Sequence, residues 1–173
     1  KELSGLGEID RALEVANSIS SNKKKSKALA SISKVLSGLG EIDRALEVAN
    51  CMPYYKSSAL VEISKVLSES GDVERGDKAL LESLQIAKSI SDAYEKSFAL
   101  ANISRVFSAS GDISKGERVL VESLERARSI ADDKRKSKAL EAISKVLSRS
   151  GEIERSLEVA ETISDDWPRS RAL

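Results

Sequence analysis

Chemistry needs side chains that can attack, move a proton or bind a metal, and this sequence offers few. The 173-residue chain has no histidine and a single cysteine, Cys51, so a Ser–His or Cys–His nucleophile pair and a histidine-based zinc site are both excluded. Serines are abundant, but they recur at fixed places: Ser33, Ser64, Ser104 and Ser144, and again Ser37, Ser68, Ser108 and Ser148. Such regularity reads as small packing residues of helices rather than as nucleophiles. Paired carboxylates, Glu8 with Asp10 and Asp132 with Asp133, stand near helix starts and loops, where an acid complements the helix dipole or stays solvated. No glycine belongs to a GxxxxGK(S/T) phosphate loop behind a strand. Cys51, two residues before Pro53, reads as a small buried hydrophobe. No catalytic residue, cofactor site or metal ligand is assigned, and the chain reads as a non-enzyme.

Two constellations do carry chemistry. One residue after each serine of the first column stands a cation: Lys34, Lys65, Arg105 and Lys145. A row of cations with no anion in the same column suits an acidic or carboxylate-rich partner. The alternative is that a cation near a helix C-terminus complements the dipole and remains solvated. The second constellation lies in loops: Lys23, Tyr54, Tyr94, Lys134 and Trp167 each precede an Ala-Leu pair by the same interval, and Tyr55 adjoins Tyr54. These residues suit a staple over the start of the next helix. The alternative is an exposed aromatic edge that stacks on a peptide or a base.

Composition narrows the class. Lys and Arg number 28 and Asp and Glu 28, a formal charge of zero, which argues against a nucleic-acid binder held by surplus cations. No apolar run approaches the roughly 20 residues that span a bilayer, so no membrane partner is expected. Aromatic residues make up 3% and charged residues 32%, so the core must be aliphatic and the elements helical.

The elements that position these residues are repeats. Leu3–Asn17 recurs unchanged as Leu36–Asn50, and ISKVLS begins at Ile32, Ile63 and Ile143, with ISRVFS at Ile103. Gly7, Gly40, Gly71, Gly111 and Gly151 punctuate the chain at intervals of 33, 31, 40 and 40 residues. Leu29, Ile32, Val35 and Leu36 form the stripe of an amphipathic first helix, which each glycine should end. A second helix follows, with Ile42, Ala45, Leu46 and Ala49 on its apolar face. In the two long units the second helix should run from about Asp72 to Ile90 and from Asp112 to Ile130. Seven added residues are two turns, about 10 Å, and are expected to project as a ledge or to stand as tolerated elongation. Ala12, Ala45, Gly76, Gly116 and Ser156 form a second column of small residues, and glycine inside a helix points to close backbone approach.

These two small-residue columns and the Gly-Asp/Glu turn resemble tetratricopeptide repeats. Leu29, Ile32 and Leu36 stand where that family places its large residues, although its aromatics are here aliphatic and its proline after the second helix is absent. The resemblance spans residues 1–173 as a single array of four complete hairpins with partial units at both ends. It implies an all-α, right-handed α-α superhelix whose first helices line a concave groove. It further implies a protein–protein interaction scaffold binding a protein or peptide, with Lys34, Lys65, Arg105 and Lys145, and also Lys27, Phe98 and Lys138, facing the partner. A single-stranded RNA-binding repeat protein and a purely structural spacer arm are the alternative readings. Cysteine poverty suits a reducing cytoplasm, and abundant Lys and Glu with few Asn and Gln lean towards a thermophile. The two ends read as cut from a longer array, with self-association end to end expected through Ile9, Leu13, Val159 and Ile163.

Overall fold

The structure is a computed structural model and describes residues 2–149 and 151–163, with side chains from residue 7 onward. It is all-α. Nine helices run in order among the described residues: α1 (Glu2–Asn17), α2 (Asn22–Gly38), α3 (Ile42–Asn50), α4 (Lys56–Glu69), α5 (Val73–Ser89), α6 (Ala93–Ala109), α7 (Ile113–Arg128), α8 (Asp133–Arg149) and α9 (Ile153–Glu161). Two compact units, Lys1–Ser83 and Leu84–Leu173, divide the chain, and the boundary falls within α5.

The glycine turns explain why the first helices stop where they do. Gly40, Gly71, Gly111 and Gly151 take positive φ between 81° and 96°. Each follows a first helix as its left-handed C′ residue. At α2 the Gly40 N–H donates to Ser37 O at 3.0 Å and the Glu41 N–H to Leu36 O at 2.9 Å, which is a Schellman closure. The same pair of bonds recurs after α4, α6 and α8. Acids then start several helices: Asp112 accepts from the Lys115 N–H at 3.1 Å and Asp92 from the Glu95 N–H at 2.9 Å.

Within each unit, first and second helices pack through the small residues. In the N-terminal unit Ser33, fully buried, donates to Ala45 O at 2.9 Å from α2 to α3. In the C-terminal unit Ser144 and Ser156 donate to each other's carbonyls at 3.0 and 2.9 Å. Where the second column is glycine the approach is closer still: a Cβ on Gly76 would lie 3.1 Å from Ser64 O, and one on Gly116 only 3.0 Å from Ser104 O. Leu29, Leu36, Ile63 and Leu67 centre the N-terminal core, and Leu140, Ile143, Leu147 and Ile163 the C-terminal one. Each such aliphatic side chain contributes about 1.5–3 kcal/mol on burial.

Three expectations are corrected. The added heptad of α7 does not overhang its own hairpin partner, α6. Ser123 donates to Ser97 O at 2.7 Å, and Ala127 and Ile130 are buried in the C-terminal core, so the extra turns cover the start of α6. In the N-terminal unit Ser57 and Ser83 make the equivalent contact, Oγ to Oγ at 2.9 Å. Cys51 is exposed, and the buried place beside it belongs to Met52. Gly7 ends no helix: α1 runs unbroken through it, although the identical segment Leu36–Asn50 breaks at Gly40. In the second copy Leu36 and Ser37 are buried at 0% and 1% exposure, and the break is closed by the Gly40 and Glu41 N–H groups donating to Ser37 O and Leu36 O.

Candidate functional site

The cation column lies on the first helices, two members in each unit. In the N-terminal unit Lys34 on α2 and Lys65 on α4 are exposed, and in the C-terminal unit Arg105 on α6 is half-buried and Lys145 on α8 exposed. Three of the four have carboxylate neighbours. Glu62 approaches Lys34 at 3.7 Å, Glu69 stands 4.0 Å from Lys65, and Glu141 bonds Lys145 at 2.5 Å. The row is therefore largely compensated, and its members are weaker attractors for acid than a bare row would be. Two of these acids are i,i+4 neighbours of their lysines, a spacing visible in the sequence. Arg105 differs: no carboxylate ion-pairs with it among the described residues.

The other first-helix candidates extend the same stripe. Lys27, Phe98 and Lys138 each stand seven residues before Lys34, Arg105 and Lys145, two turns earlier on one face. Phe98 is 44% exposed, one of several large apolar side chains that face solvent, among them Leu39 and Ile113 at 61%. Asn102, one turn further, donates to Phe98 O at 3.0 Å and lies between the ring and Arg105 along the helix. Lys27 and Lys138 are both exposed. Along these helices the buried stripe repeats nearly unchanged, whereas the solvent stripe carries Lys, Phe, Asn, Glu or Ser at equivalent positions.

Of the constellation expected in loops, Lys23, Tyr94 and Lys134 stand instead as the second residues of α2, α6 and α8. Tyr94 is half-buried, packs against the C-terminal core and has the Arg135 guanidinium 5.4 Å from its ring centre. Arg135 also forks onto Asp92 at 2.7 and 2.8 Å, and this bond holds the Asp92 carboxyl below the usual carboxylate range, with the Glu95 N–H adding to the effect. Tyr54 and Tyr55 are exposed, and Tyr55 takes φ 62° ahead of α4. Trp167 lies outside the described residues.

The buried serines Ser57, Ser83, Ser97 and Ser123 were not singled out in the sequence. Ser57 and Ser97 each stand two residues before an Ala-Leu pair, and this spacing was the available signal. Among the described residues no group of three His, Cys, Asp or Glu is placed to hold a metal ion, and no helix is long and apolar enough to cross a membrane. The geometry defines a helical-hairpin repeat protein of the solenoid kind. The sequence matches no family model and no curated protein.

Proposed function

We propose that the chain is a non-enzymatic interaction scaffold of tetratricopeptide-like type, binding a protein or peptide that combines carboxylates with an apolar side chain. The observation that carries this reading is the pairing on α6 of an exposed Phe98 with Arg105, a cation lacking a carboxylate partner among the described residues. Aromatic and arginine side chains dominate binding energy where a partner covers them. A carboxylate arriving at Arg105 displaces no existing ion pair, whereas at Lys145 it must compete with Glu141. Arg105 therefore replaces the even four-cation row as the centre of the site, with Lys138 and Lys145 of α8 on the neighbouring helix of the same unit.

The test is selection of random peptides on the immobilised chain, followed by titration of the selected sequences. Enriched peptides should carry Asp or Glu near a large apolar residue. Phe98→Ala should weaken them about tenfold or more, as expected of a hot-spot side chain. Arg105→Glu should remove the acidic preference, and Lys65→Glu should change little. Retention of single-stranded RNA on a filter at low salt, with no peptide enrichment, would replace this reading by the nucleic-acid one.

A further inference from the structure

The end-to-end self-association expected through Ile9, Leu13, Val159 and Ile163 has no open face to use: three of these side chains are buried and Leu13 is half-buried. A surface that does stand open lies inside the N-terminal unit, on the edge where α2 and α4 begin. Lys23, Lys24, Lys25 and Lys27 crowd the first turns of α2, and all but the half-buried Lys25 are exposed. That helix has no acid in its first turn, and Ser21 makes no side-chain cap bond. Four cations at the positive end of a helix run against its dipole. Just ahead of α4, Tyr54 and Tyr55 are 46% and 40% exposed. The two helix starts adjoin, because the Tyr54 N–H donates to Ser26 Oγ at 3.4 Å.

The C-terminal unit shows the same edge closed by its own side chains. Counted back from the Ala-Leu pairs, Asp132, Asp133 and Lys136 of the α8 start correspond to Ser21, Asn22 and Lys25 of the α2 start. Asp132 accepts from the Arg135 N–H at 2.7 Å, and Asp133 pairs with Lys136 at 3.3 Å. Arg135 also reaches back to α6, where it pairs with Asp92 and covers the Tyr94 ring. On α2 and α4 the positions equivalent to Asp92, Tyr94 and Arg135 carry Ser21, Lys23 and Tyr55. The acid is gone, and ring and cation have changed places. All of these exchanges fall at described positions between Ser21 and Tyr55. No carboxylate ion-pairs with Lys24, Lys25 or Lys27 among the described residues.

We propose that this edge binds a short stretch of single-stranded nucleic acid, with phosphates on the α2 lysines and bases stacked on Tyr54 and Tyr55. A strand carries one phosphate for each flat base, so clustered cations and exposed rings are used together. Carboxylates alone would answer the lysines and leave both rings uncovered. Tyr55 takes φ 62°, a strained conformation for a tyrosine and of the kind that gathers at ligand clamps. The zero net charge of the chain confines the attraction to this edge, so few phosphates are held and base identity matters little. The site is a second one, in the other unit from Phe98 and Arg105.

The probe is a short fluorescein-labelled oligouridylate, titrated with the full chain at low salt and followed by anisotropy. Saturable binding is expected, with log K falling against log salt at a slope of about −2 to −3, the value for three or four phosphates on a single strand. Tyr54→Ser with Tyr55→Asn should weaken binding about fivefold or more for each ring and leave the slope unchanged. Asparagine tolerates the left-handed backbone at that position. Lys24→Gln with Lys27→Gln should instead reduce the slope by about 1.4, and Lys136→Gln, whose charge Asp133 already compensates, should change little. Phe98→Ala should leave oligonucleotide binding intact, and the tyrosine pair should leave peptide binding at α6 intact, so the two sites fail separately. Absence of binding at low salt overturns the proposal, as does binding that the tyrosine pair does not weaken. Displacement by a glutamate-rich peptide of equal charge, at equal concentration, also overturns it, because the edge then takes an acidic peptide.

Discussion

Gly7 and Gly40 occupy the same place in two identical fifteen-residue segments, yet alanine should act on them with opposite sign. At neither glycine would an added Cβ meet any atom within 4 Å, so packing does not enter and backbone conformation alone decides. Gly40 sits at φ 81° as the left-handed residue after α2. Alanine there is strained by about 1–2 kcal/mol. The less flexible unfolded chain returns about 0.4–1 kcal/mol, so the net loss is about 1 kcal/mol. Gly7 lies inside α1, where alanine is the better helix former by about 1 kcal/mol. The two substitutions should therefore differ by about 2 kcal/mol, roughly thirty-fold in a local opening constant. A repeat array opens piecewise, so the reading should be local, by residue-resolved amide hydrogen exchange. Gly7→Ala should slow exchange along Glu8–Asn17 several-fold, and Gly40→Ala should speed it at the end of α2 and along α3. Faster exchange along Glu8–Asn17 in Gly7→Ala would show that the first segment turns at Gly7 like its twin, and the continuous α1 would be wrong.

Gly116→Ala should lower the urea midpoint, because its Cβ would stand 2.2 Å from Ser108 Oγ and 3.0 Å from Ser104 O. The hydroxyl can swing aside but the carbonyl cannot, and overpacking of about 1–3 kcal/mol outweighs the gain of about 1 kcal/mol in helix propensity. Gly76→Ala, at 2.8 and 3.1 Å, should be milder, and a raised midpoint in Gly116→Ala would show that close approach does not select the glycine. The Asp92–Arg135 fork predicts a pH effect: the folded carboxyl is held low, chiefly by the Arg135 bond. Its contribution is therefore present above the ordinary value of about 3.9 and is lost as pH falls through the lower folded value. In Arg135→Gln the Asp92 carboxyl should titrate, by NMR, nearer its ordinary value, with the Glu95 N–H still holding part of the shift; an unchanged midpoint would discount the fork.

The helical hairpins were legible because each repeat states them several times over. Stripe, glycine turn and small-residue column all imply the same two-helix unit, and agreement between levels makes a sequence specify a structure. The column of Gly76 and Gly116 was readable for a physical reason: glycine is disfavoured inside a helix unless something comes too close for a side chain. Gly7 was not readable, because fifteen identical residues carry identical local preferences. In the second copy Leu36 and Ser37 are buried, and packing of that kind is not written in the segment itself. The heptad of α7 was placed in the right register, but its fate depended on Ser123 finding Ser97 across the hairpin, a long-range contact.

The proposed binding face was less legible, and the reason lies in how exposed charges behave. A column of Lys34, Lys65, Arg105 and Lys145 looks uniform when helices are aligned by their glycines. Pairing follows the surface instead, along i,i+4 steps and from one helix to the next, and so Glu62, Glu69 and Glu141 reach three of the four. What remains distinctive is the exception: Arg105 beside Asn102 and an exposed Phe98, at positions whose counterparts carry other side chains. Repetition marks what must pack, and departure from it on the solvent stripe marks where recognition is free to vary. On that argument the proposed site centres on the first-helix face of α6, and the proposal gives the regular cations around it the lesser part of keeping the surface solvated.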